Sequence, residues 1–104
     1  MIHKDEARAL AMTEILRMWG SREADEPVIL DEFTIEREFG WVFFWDSRRH
    51  QETQLFEHTQ AGNAPIIVNK FDGSLHQTGT AFPTENYILE YEEQLRRAKN
   101  KGEI

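Results

Sequence analysis

Cysteine is absent from the 104 residues. That excludes disulfides, thiolate metal sites and a cysteine nucleophile, and it fits a reducing compartment. Long apolar runs are also missing. The longest, Trp41 to Trp45, has five residues, far short of the roughly 20 that a membrane-spanning helix needs. Asp5 and Glu6 stand within the first six positions and no apolar stretch follows them, so a signal peptide is not expected. Cations are scarce: 12 lysines and arginines face 19 aspartates and glutamates, for a net charge of −7. A nucleic-acid binder needs a basic face for the phosphates, so that function class is excluded. No repeat or low-complexity segment is present. What is there is a chain with 39% hydrophobic and 12% aromatic residues, too apolar for a disordered acidic tail. The expectation is a soluble, cytoplasmic chain forming a single domain over 1–104, with about 96–104 as a polar helix end or frayed tail.

The acidity is concentrated. Glu23, Asp25, Glu26, Asp31, Glu32, Glu36 and Glu38 are opposed only by Arg37, so the window 23–38 carries −6 and the other 88 residues only −1. Two readings stand. The window is either a solvated connection with the polar face of a strand, or an acidic patch that docks a basic partner and speeds encounter.

Residues 4–19 have helical spacing: Ala7, Leu10, Ala11, Ile15, Met18 and Trp19 recur every three or four positions, and Gly20-Ser21 ends the pattern. Val28-Ile29-Leu30 is a short strand candidate. From Phe33 to Phe39 apolar and polar residues alternate, as in a strand with one wet face, apart from Arg37. Trp41-Val42-Phe43-Phe44-Trp45 is apolar on both faces, with Trp41, Phe43 and Trp45 on one and Val42 and Phe44 on the other. The stretch 46–64 is too long for a structureless loop and predicts a turn of helix or an edge strand. Ile66-Ile67-Val68, the turn Phe71-Asp72-Gly73-Ser74 and the return segment Leu75 to Gly79 read as a β-hairpin. Pro83-Thr84 opens a second helix with Tyr87, Ile88, Tyr91 and Leu95 as its apolar stripe, and Gly102 closes its basic tail. The fold class is α+β: a small antiparallel sheet of about four to five strands with an N-terminal and a C-terminal helix packed on it.

Catalytic patterns are missing. His3, His50, His58 and His76 stand in no H-E-x-x-H or related ligand spacing, and His50, Glu52, Glu57 and His58 are the only tight group. No serine sits in a G-x-S-x-G elbow. Gly62-Asn63 and Asp72-Gly73 read as turns rather than as a phosphate cradle or a calcium loop. No catalytic residue, cofactor or metal site is assigned, and an enzyme is not expected. An enzyme would need a pocket gathering His50 or His58 with carboxylates. Either both faces of the aromatic strand are core, or, if both helices cover one face of the sheet, it leaves an open face, and Trp45 near its end is then expected to be partly exposed to a partner.

The strings FGWVFFW (39–45), AGNAPIIVNK (61–70), DGSLHQTGTA (72–81) and ENYILEYEE (85–93) resemble the YrhB-like family, the immunity protein 35 family of bacterial polymorphic-toxin systems. With the N-terminal helix the likeness covers about Lys4 to Glu93. Gly40, Trp41, Gly62, Asn63, Pro65, Asp72, Gly73, Gly79 and Thr80 match its motifs, and physically they are turn and core residues. The resemblance implies a small cytosolic α+β protein that binds a cognate toxin and blocks it. Partner-binding residues are then expected at Glu23, Asp25, Glu26, Asp31, Glu32, Glu36, Glu38 and Trp45, facing a basic toxin such as a nuclease. The alternative is a small acidic chaperone-like protein without a dedicated partner, using an exposed Trp41–Trp45 strand. Neither reading calls for nucleic acid or a membrane.

Overall fold

A computed structural model describes residues 1–20, 25–53 and 63–100. Helix α1 runs Lys4–Trp19. Strands β1 (Pro27–Ile29), β2 (Ile35–Arg37), β3 (Gly40–Phe43) and β4 (Trp45–Ser47) follow, with a 3-10 turn at Asp31–Phe33 between the first two. Helix α2 (Arg48–Thr53), strands β5 (Ile66–Asn69) and β6 (Leu75–Gln77), and helix α3 (Thr84–Asn100) complete the described chain. The class is α+β. The six short strands form two antiparallel sheets, a pair β1-β4 and a four-stranded sheet in the order β2-β3-β5-β6.

The two long helices lie on opposite faces of the larger sheet. Trp41 pairs with Val68, Val42 with Ile67 and Phe43 with Ile66, and successive side chains alternate between faces. Trp41, Phe43, Ile66 and Val68 therefore meet α1, which buries Ala7, Ala11, Ile15 and Trp19 at four-residue spacing. Val42 and Ile67 meet Ile88 and Tyr91 of α3, with Phe39. Each of these large apolar side chains contributes about 1.5–3 kcal/mol on burial. The aromatic strand has no open face because each face has its own helix.

Two local devices fix the sheet. Gly40 has φ +144, and a Cβ there would lie 2.0 Å from the Val68 carbonyl oxygen. Only glycine permits that approach where β2 turns into β3. In the β5-β6 hairpin Gly73 takes φ +71, its N–H donates to Asn69 O, and Asn69 N–H donates to Ser74 O.

The run Trp41–Trp45 is not one strand. The chain leaves the large sheet at Phe44, whose carbonyl accepts Leu30 N–H at 2.8 Å, and β4 pairs with β1 instead. The alternating segment 33–39 is likewise strand only over Ile35–Arg37. Within 46–64 both expected elements occur, an edge strand and a short helix, before the described chain breaks off at Thr53.

Candidate functional site

The acidic window divides by role. Asp25 is used internally: its Oδ1 accepts Arg49 N–H at 3.0 Å and Glu26 N–H at 2.8 Å, while Oδ2 takes the Ser47 hydroxyl. Burial disfavours its charge, but the Ser47 hydroxyl and the two N–H groups outweigh that and hold its pKa below the ordinary range. With the Glu26–Arg48 ion pair, 3.0 Å long, this clasps the start of α2 to β1. Asp31 accepts two hydrogen bonds from Arg8, and that guanidinium lowers its pKa against a smaller opposing effect of burial. Glu32, Glu36 and Glu38 are exposed and make no ion pair or hydrogen bond through their side chains among the described residues. Glu23 lies outside the described residues.

Trp45 overturns the expectation of an exposed aromatic. It is only 4% exposed and packs edge-on against Trp19 at 6.1 Å. Its indole N–H donates to Ala64 O at 3.0 Å, and its own carbonyl accepts the Asn63 amide at 2.9 Å. Chain 63–64 thus occupies the indole N–H and the carbonyl of Trp45, and Trp19 of α1 packs against its ring. Trp45 is a core residue.

His50 sits beside a buried carboxylate. Asp46, 5% exposed, accepts His50 Nδ1 at 2.5 Å and Gln51 Nε2 at 2.6 Å on Oδ2, and Ser47 N–H at 2.8 Å on Oδ1. The neighbouring Ser47 hydroxyl is held by Asp25 and by the His50 backbone N–H rather than by the imidazole. Asp, His and Ser are adjacent here without the nucleophile–base contact that a hydrolytic relay requires. His58 and Glu57 fall outside the described residues. Among the described residues no group of three His, Cys, Asp or Glu is gathered as metal ligands, and no helix is long and apolar enough to cross a membrane.

Asp46 also lines an open groove of about 380 Å³ with Leu30, Phe44, Pro65, Phe82 and Pro83. The groove lies where the chain changes sheets and where α3 begins. Its wall is braced by Tyr87, whose hydroxyl accepts Phe82 N–H at 3.3 Å. Tyr87 packs so closely on Gly79 that a Cβ there would approach its oxygen to 2.5 Å.

The profile of the family described as Immunity protein 35 matches residues 5–94. The chain belongs to that family. It is also similar to the protein YrhB of Escherichia coli (strain K12), with 40% identity over 72 residues, covering 67% of this chain and 73% of YrhB. No solved structure matches.

For this Immunity protein 35 member the groove carries a particular interest. Asn63, Pro65, Gly79 and Thr80, from the strings that carry the sequence resemblance, all line it. By sequence they are turn and strand determinants, and Asn63 is one, through Trp45. Nothing local in the sequence marks the groove or Asp46, because the walls come from four chain segments that no local pattern connects. Phe82 beside Pro83 was the available signal: an aromatic in a connection, 64% exposed in the structure.

Proposed function

We propose that this chain is an immunity protein that binds a cognate bacterial toxin and neutralises it by occupying the toxin surface, without a catalytic step of its own. The observation that carries the reading is the Immunity protein 35 match over residues 5–94. The contact surface we assign is acidic: Glu32, Glu36 and Glu38 are exposed and free of internal pairs among the described residues. Asp31 and Glu26 add charge to the surface although each is partnered by an arginine. Such a surface steers a basic partner and sets its orientation. A nuclease, whose substrate face is basic, is the toxin class this charge suits, through mimicry of phosphate. Burial of Trp41, Phe43 and Trp45 favours this reading over a chaperone-like one that would use that strand.

The test is co-expression with the protein encoded beside this chain's gene. The expected result is restored growth and a stoichiometric complex on gel filtration. Unrelieved toxicity, or growth restored without a complex, contradicts the proposal.

A further inference from the structure

The groove beside Asp46 has the make-up of a receptor for one cationic side chain. Its apolar walls, Leu30, Phe44, Pro65 and Pro83, suit a methylene stem. Phe82 stands 64% exposed at its edge, and an aromatic ring attracts a cation placed over its face. Among the described residues Asp46 is the one ionisable residue lining it, and no lysine or arginine lines it. A carboxylate has about four lone-pair sites. Ser47, His50 and Gln51 fill three of those of Asp46, two on Oδ2 and one on Oδ1. Among the described residues one acceptor position on Oδ1 is left, on a carboxylate whose other bonds hold it in place. The Tyr87 hydroxyl fixes the backbone that carries Phe82, so the site is formed before anything enters it.

We propose that this groove receives an arginine side chain of the neutralised toxin, its stem against Leu30, Phe44 and Phe82 and its guanidinium donating to Asp46. The site rests on the toxin-binding reading and names a specific contact for it. The exposed glutamates set the rate of encounter, and the groove sets how long the complex lasts. Arginine suits such a site because its planar head is weakly hydrated and stacks on aromatic rings.

The site can be probed without the toxin. Amide resonances of ¹⁵N-labelled protein are followed during titration with N-acetyl-arginine methylamide, its uncharged citrulline counterpart and the leucine counterpart. Saturable shifts are expected at Leu30, Phe44, Asp46, Thr80 and Thr84 with arginine, at least fivefold smaller with citrulline or leucine (about 1 kcal/mol). Phe82→Ala, at an exposed position, should keep the fold and lose the shifts. In the complex, Phe82→Ala should raise the dissociation rate at least tenfold and leave the association rate unchanged. Equal responses to leucine or citrulline, or shifts confined to Glu32, Glu36 and Glu38, overturn the arginine site and leave toxin neutralisation standing. Failure of the wild-type chain to protect in co-expression overturns the function, whatever the titration gives.

Discussion

Arg8 grips Asp31 through two parallel hydrogen bonds, Nε to Oδ1 at 2.8 Å and Nη2 to Oδ2 at 3.0 Å. A residue of the first helix turn pair thereby fixes the 3-10 turn that carries Glu32 and Phe33, twenty-three positions on. Both side chains are largely exposed, and pairs of that kind contribute about 0.2–1 kcal/mol. Asp31→Asn should therefore lower unfolding free energy by no more than about 1 kcal/mol, while Glu32→Lys leaves stability unchanged and slows association. Urea unfolding and binding kinetics on the two variants separate the roles.

Gly40 and Gly20 both have positive φ, at +144 and +77, but only Gly40 faces backbone at 2.0 Å, and Gly20 has open space. Gly40→Ala should cost more than about 3 kcal/mol or abolish folding, because both strain and a clash oppose it. Gly20→Ala should cost about 1 kcal/mol. Denaturant midpoints of the two variants against wild type give the comparison.

Trp19, Trp41 and Trp45 are each buried. Fluorescence should be blue-shifted and weakly quenched by acrylamide, and both should change only on unfolding. Trp45→Ala should cost about 3–5 kcal/mol as a core deletion. Asn63→Ala, which strips the amide from the Trp45 carbonyl, should cost about 1–2 kcal/mol. A readily quenched Trp45 would restore the exposed aromatic surface that the structure removes.

Asp25, Asp31 and Asp72 all have pKa values lowered from the ordinary 3.8. For Asp72 the Ser74 hydroxyl and N–H are the cause. A carboxylate with a depressed folded-state pKa stabilises the fold above its unfolded value, and that contribution is lost as pH falls through the folded value. Stability should accordingly drop from about pH 4 downward. Protonation of Asp25 also loosens the α2 clasp, so the protection of the Arg48–Thr53 amides, relative to their intrinsic exchange rates, should fall in acid before that of β5. Asp25→Ala should reproduce this loss of protection at neutral pH.

Helix α1 was legible because Ala7, Ala11, Ile15 and Trp19 repeat at one spacing, and the β5-β6 hairpin because Asp72-Gly73 has local turn chemistry. The break at Phe44 was not legible. Five consecutive apolar residues look alike whether one sheet takes them or two, and the partners that divide them, Leu30 on Phe44 and Asn63 on Trp45, lie fourteen and eighteen positions away. The placement of the helices on opposite faces has no local signature either, and it decides the fate of Trp45. At the site, charge could be counted but not sorted: Asp25 and Glu32 are equivalent in sequence, and only the approach of Ser47 and Arg49 makes one of them structural.

The most direct measurement is the association rate constant between this chain and its toxin, at low and high ionic strength, for wild type and Glu32→Lys/Glu36→Lys/Glu38→Lys. The acidic-surface account predicts a steep fall in the wild-type rate as salt rises, and a rate at least about tenfold lower for the triple variant at low salt. It also predicts that the two rates converge at high salt, with similar dissociation rates. An association rate indifferent to salt and to all three reversals would contradict it.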